Sequence, residues 1–261
     1  MVITARELAD MMPSAAYLES DEPEMESSLH YFQLALLVSC LEWLWRDRTD
    51  FFIGANLTVY FSKEQLKTKD FRGPDFFLAT QTEKRPRKSW VVWEEGGQYP
   101  DLIIELLSES TAQVDRNLKK ELYQTRFRTP EYFWFSPETL EFKGYRLAGR
   151  SYEPIIPNEA GQLQSQVLGL LLGVHQQQLR YFFENGELVL TLPEATAAAL
   201  AQTEAAATQV QEAEAQAQQA TAQAQEAEAQ AQQATAQAQE AEARAAKLEE
   251  QLKALGIEPQ A

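Results

Sequence analysis

The chain of 261 residues contains one cysteine, Cys40. A lone thiol excludes an intramolecular disulfide and suits a reducing compartment. Its apolar neighbours mark it as a core residue rather than a nucleophile. Cations are scarce too: 23 Lys and Arg stand against 39 Asp and Glu, a net charge of −16. That balance argues against tight sequence-independent nucleic-acid binding, because phosphate contacts need Lys and Arg. No Trp, Tyr or Phe follows Phe183, which confines an aromatic core to roughly the first 190 residues. The opening MVITARELADMMPSA lacks a basic start followed by an apolar core, so no signal peptide is expected. The most apolar stretch, Leu34–Leu41, is too short to span a bilayer. A cytoplasmic protein with no membrane attachment is expected.

What the chain does have is an apolar run interrupted by one acid. Tyr99–Thr111 reads YPDLIIELLSEST, and Leu102, Ile103, Ile104, Leu106 and Leu107 read as a strand buried on both faces. Glu105 lies in the middle, where an unpaired carboxylate is costly. Such a group needs a cation, a lysine or a proton.

The remaining pattern predicts an α/β chain. Ser27–Arg46 reads as a helix that is apolar nearly all round, hence buried against a sheet. Glu26 and His30 share one face at its start. They read either as an acid favoured by the helix dipole beside a packed histidine, or as catalytic groups. Phe51–Gly54, Leu57–Phe61, Trp90–Trp93 and Tyr132–Phe135 read as strands, and Asp75 stands at the mouth of another, Phe76–Leu78. Ser108–Thr111 offers N-caps to a helix over Ala112–Phe127. On that helix Asp115 and Lys119 are spaced for an i,i+4 pair. Leu140–Leu147 reads as an edge strand displaced at Gly144, Tyr152–Ile156 as another strand, and Leu179–Leu190 as a hairpin turning at Asn185-Gly186. Lys84, Arg85, Arg87 and Lys88 form the one dense basic cluster, which is either a solvated loop or a nucleic-acid contact.

The C-terminal region is a different kind of sequence. Residues 194–261 hold 11 acidic and 3 basic residues, half of the negative excess. Gln211–Ala224 recurs unchanged as Gln225–Ala238, a period of two heptads. Alanines from Ala213 to Ala245 form an alternating 4,3 seam that Leu248, Leu252 and Leu255 continue, until Gly256 and Pro259 stop it. The segment reads as a self-associating coil, about 90 Å long at 1.5 Å per residue, or as a single helix or frayed tail. The expected division is a globular domain over 1–192 and a heptad-repeat helix over 193–261.

Two acids at neighbouring strands and a lysine on the next helix are the parts of a metal-dependent phosphodiesterase site. Hard Mg²⁺ prefers carboxylate and water oxygens, here from Asp75 and Glu105, with the Leu106 carbonyl as a further donor. A lysine beside them would orient water or stabilise developing charge. The same acids also fit two simpler readings: Asp75 as a turn cap after Pro74, and Glu105 in a structural ion pair with Lys119.

Taken in order, Gly73-Pro74-Asp75, Pro100–Thr111, Asp115, Lys119, Leu122-Tyr123 and Pro130-Glu131-Tyr132 resemble the restriction-endonuclease family called Uma-two. That family is assigned to the PD-(D/E)XK nuclease superfamily. The resemblance runs from about Met12 to Leu190 and leaves out the tail. It implies a restriction-endonuclease-like mixed central sheet flanked by helices, to which the long helical tail is appended. It places the superfamily's first aspartate on Asp75 and its second acid on Glu105, both as metal ligands. Leu107 stands where the superfamily lysine usually lies, and the family displaces that lysine onto the next helix, at Lys119 with Lys120 as the fallback. Glu26 matches loosely the acid some members carry on the first core helix. Asp101 would be a supporting or solvent-facing acid, and Ser136-Pro137 replaces the family's Asp-Pro. The implied activity is Mg²⁺-dependent (or Mn²⁺-dependent) hydrolysis of DNA phosphodiesters by Asp75, Glu105 and Lys119. The alternative is a catalytically degenerate fold acting as an assembly module, a homo-oligomer joined through the C-terminal helix.

Overall fold

The computed structural model describes residues 4, 7, 11–22, 25, 27–62, 65, 73–108 and 114–254, the side chains of 114–116 excepted. Glu26 and the Asp115 side chain lie outside the described residues, and with them the expected Glu26–His30 and Asp115–Lys119 pairs. Short apolar and aromatic runs become eleven strands among the described residues. They are β1 (Phe51–Ala55), β2 (Val59–Tyr60), β3 (Phe76–Thr80), β4 (Trp90–Val91), β5 (Leu102–Leu106), β6 (Glu131–Phe135), β7 (Phe142–Ala148), β8 (Ser151–Pro154), β9 (Leu163–Ser165), β10 (Leu170–His175) and β11 (Gln178–Phe182). Helix α1 spans Ser28–Leu44, capped by the Ser27 side chain on the His30 N–H. Helix α2 covers 114–127 in three consecutive windings: π over Val114–Lys119, α over Lys120–Leu122 and π over Tyr123–Phe127. Helix α3 runs over Leu192–Ala254.

The main sheet has six strands in the order β1-β3-β5-β6-β7-β8. Only β5 and β6 pair in parallel within it. A parallel pair needs a crossover connection, and α2 lies in the segment that supplies it. Both strands are buried along their whole length, as expected for a pair covered on both faces.

The two-residue period of the strands sorts their side chains into two cores. Phe76, Leu78, Leu102, Ile104, Leu106, Phe133 and Phe135 join Leu34, Leu37 and Leu41 of α1. Phe77, Ala79, Ile103, Leu107, Tyr132 and Trp134 join Tyr123 and Phe127 of α2. Glu105 has the parity of Ile103 and Leu107, so it projects toward α2.

Several expectations shift in detail. Helix α1 buries one stripe only; Leu29, Tyr31 and Phe32 on its far side are more than half exposed, because a single sheet covers a single stripe. Strand β7 is internal and β8 forms the edge. Gly144 does not displace it: a Cβ there would come within 2.5 Å of the Phe133 ring, so glycine lets that ring lie across the strand. The expected Trp90–Trp93 strand stops at Val91 and pairs in parallel with β2. The Leu179–Leu190 hairpin keeps its turn, with Gly186 at φ 85. Its return limb is reduced to a bridge from Phe182 to Leu188, and β11 pairs instead with β10, itself paired with β9.

The chain divides into two compact units, 1–195 and 196–261. At the end of the first, Thr191 and Glu194 form a capping box: the Thr191 N–H donates to Glu194 and the Glu194 N–H to the Thr191 hydroxyl. No described helix is long and apolar enough to cross a membrane.

Candidate active site

Antiparallel pairing of β3 and β5 sets Phe76 opposite Ile104, so Asp75 and Glu105 come next on neighbouring strands. Residues directly opposite in such a pair have Cβ atoms about 5 Å apart. Main-chain hydrogen bonds then lock the two acids together reciprocally. The Asp75 N–H donates to Glu105 Oε2 at 3.4 Å, and the Leu106 N–H donates to Asp75 Oδ2 at 2.7 Å. The Asp75 carbonyl accepts the Asn56 N–H at 2.7 Å. Gly73, two residues earlier, has room for no side chain: a Cβ would lie 2.4 Å from the Leu57 carbonyl oxygen. The Gly73-Pro74-Asp75 approach is thereby fixed against the β1–β2 connection.

Glu105 is fully buried, and α2 satisfies it with two side chains one turn apart. Lys119 Nζ donates to Oε2 at 3.0 Å, and the Tyr123 hydroxyl donates to Oε1 at 2.6 Å. Lys119 Nζ also lies 3.5 Å from the Gly73 carbonyl, which ties α2 to the loop that carries Asp75. The charge-burial problem posed by Glu105 is therefore met by a lysine and a tyrosine. The i,i+4 spacing of Lys119 and Tyr123 is the signal that identifies Tyr123 once the helix is known to face Glu105.

The other candidates sort by where they point. Lys120 turns to β7, with Nζ 3.4 Å from the Tyr145 ring centroid, and burial lowers its pKa. Asp101 lies at the opposite end of β5 from Leu106 and accepts from the Thr80 N–H and hydroxyl, fastening the far end of the β3–β5 pair. Ser136 caps a turn through the Thr139 N–H. His30 is buried and its Nε2 lies 3.1 Å from the Leu107 carbonyl. A carbonyl can only accept, so Nε2 carries the proton. His30 thus braces the strand end just beyond Glu105 from the other face of the sheet. Cys40 is core: its Sγ–H donates to the Val189 carbonyl and burial pushes its pKa up to about 11.

The basic cluster is largely neutralised. Lys84 pairs with Glu42, Arg85 and Arg87 with Glu95, and Lys88 with Glu19. The Arg87 side chain is 2% exposed and lies over the Phe52 and Trp90 rings. Arg126 lies over Phe61 and Arg128 donates to the Gly149 carbonyl. These cations brace the fold more than they present a phosphate-binding surface.

Among the described residues no group of three or more His, Cys, Asp or Glu side chains converges to hold a metal. Mg²⁺ does not require one, since it keeps several waters and is held by one or two carboxylates with substrate phosphate. Two carboxylates on neighbouring strands fit that donor chemistry.

A family model described as "Putative restriction endonuclease" (Uma2) matches residues 22–181. No curated protein matches the chain. Among solved structures, the crystal structure of a "putative nuclease belonging to DUF820" from Anabaena variabilis ATCC 29413 is similar at 17% identity. The match covers 64% of this chain and 91% of that chain, with a TM-score of 0.41.

Proposed function

The chain belongs to the Uma2 restriction-endonuclease family, and from that membership we propose that it is a Mg²⁺-dependent nuclease acting on DNA phosphodiester bonds. Asp75, Glu105 and Lys119 are its working groups, and Mn²⁺ is the substitute metal. The observation that supports this reading most is the 3.0 Å contact of Lys119 with Glu105. It puts a lysine beside the second acid although Leu107 occupies the usual lysine position.

Asp75 and Glu105 would hold the ion, and when bound it would polarise the phosphate and lower the pKa of an attacking water. The other tasks fall to side chains of this chain. The Lys119 side chain, 13% exposed, sits beside Glu105 and the Gly73 carbonyl, where it can orient water or meet negative charge developing on phosphate. Tyr123 fixes Glu105 Oε1. The Leu106 N–H fixes Asp75 Oδ2, so neither carboxylate must reorganise before chemistry. The paired basic cluster and the net charge of −16 argue for weak sequence-independent DNA affinity.

A plasmid-nicking assay with Mg²⁺ or Mn²⁺ tests the reading. Wild type should nick in a metal-dependent way, and Glu105→Ala and Lys119→Ala should each lose at least about 100-fold, the loss expected when one charge-stabilising group is removed. Absence of metal-dependent nicking, or equal nicking by Glu105→Ala, sinks it.

A further inference from the structure

Residues 196–254 belong to a unit of their own whose side chains are exposed almost without exception. Along one stripe of this helix, steps of three and four residues alternate from Val210 through Ala213, Ala217 and Ala220 to Ala245, Leu248 and Leu252. Alanines alone would identify nothing, since the residue is also the best helix former. Two further observations specify what covers the stripe.

The first is where the larger apolar residues fall. Of Leu200, Val210, Leu248 and Leu252, all but Leu200 lie on the stripe. Val210 and Leu248 are 58% and 59% exposed, which a solitary helix gains nothing by presenting. The second is the charge pattern on its two edges. One edge carries glutamine at every seventh residue from Gln209 to Gln237, and then Arg244. The other alternates glutamate and threonine from Glu214 through Thr221 and Glu228, and ends in Glu249. In a parallel pair each residue of the first edge faces the second-edge residue five positions on in its partner. Gln then meets Glu or Thr, Arg244 meets Glu249 of the second copy, and no like charges are opposed. An antiparallel pair would set each edge against itself and lose the Arg244–Glu249 pair. Such flanking charges set orientation in coiled coils.

We propose that the tail pairs with the tail of a second copy of this chain as a parallel, in-register, two-stranded coiled coil. Val210 and Leu252 stand on one set of seam positions and Leu248 on the other, so both rows of the seam carry a larger apolar side chain. Chain direction then attaches both copies of residues 1–195 to the same end of the coil. The assignment is independent of nuclease activity, and its test reads mass and cross-linking.

Light scattering on the full chain should give twice the 29.6 kDa chain mass. Leu248→Glu with Leu252→Glu should return it to the single-chain value, while Ala246→Glu, off the stripe, should leave the dimer intact. Orientation is read with Ala217→Cys under mild oxidation. In the parallel register the two copies of residue 217 meet and cross-link. Cys40 does not interfere, since it is buried. A single-chain mass for the wild type, a mass of three or more chains, or a dimer that survives the double substitution overturns the proposal. A dimer whose Ala217→Cys form resists cross-linking overturns the parallel register.

Discussion

Two glutamates are buried on the adjacent parallel strands β5 and β6, and they are held in different ways. Glu131, at the start of β6, accepts from Arg146 twice, from the Ser165 hydroxyl, and from the N–H groups of Gln166 and Val167. Glu105, near the end of β5, accepts from Lys119, Tyr123 and the Asp75 N–H. Main-chain amides of the segment after β9 cannot leave Glu131 without unfolding that segment. The strongest partners of Glu105 are the ends of two side chains on α2, Lys119 and the fully buried Tyr123. The first arrangement joins the two sheets; the second joins the main sheet to α2. Burial alone does not tell the two acids apart, but the nature of their donors does.

This contrast can be broken by substitution. Glu131→Gln sets an amide NH₂ among donors aimed at the carboxylate, and should cost about 3 kcal/mol, as breaking a buried pair does. Urea midpoints measure it. Glu105→Gln should cost less, about 1–2 kcal/mol, because Lys119 can turn to solvent. Equal losses at the two positions would remove the distinction. Tyr123→Phe keeps the ring packing and removes one donor from Glu105, for about 1 kcal/mol. If Tyr123 positions the carboxylate, nicking should fall more than stability does.

The smallest effect is expected at Glu194, another acid with mixed partners. Its pKa is lowered to about 2, first by the hydrogen bond from Arg180 and then by the Thr191 N–H. A folded pKa below the ordinary value of 4.5 means stabilisation that is present above that value and lost as pH falls through about 2. Wild type should therefore exceed Glu194→Gln in urea midpoint at pH 7, with the gap closing toward pH 2. A gap that persists at pH 2 would show that the charge is not its source.

Much of this was legible in advance where a local pattern has one physical meaning. The LIIEL run could only be a buried strand with a charge to satisfy, and Asn185-Gly186 could hardly be anything but a turn. Strands β9 and β10 escaped because β10 and β11 turn at Gln176-Gln177, with φ of 48 and 64, a left-handed pair that glutamine does not advertise. The winding of α2 was illegible for a similar reason. Periodicity reports that a helix exists, but not that it widens to π over Val114–Lys119 and Tyr123–Phe127. The pairing of the basic cluster was not legible either, since its acids, Glu42, Glu19 and Glu95, are supplied by other parts of the chain.

By itself the sequence determined that Glu105 would be a buried acid in a strand, that Asp75 would stand at a strand mouth, and that the tail would carry a heptad pattern. Those follow from local periodicity and the cost of burying charge. Tertiary structure alone decided that Asp75 and Glu105 are neighbours, that Lys119 rather than Lys120 reaches Glu105, and that Tyr123 holds its other oxygen. Each of these depends on strand register or helix rotation, where one residue of slip redirects every side chain. That information resides in packing and not in any single stretch of chain.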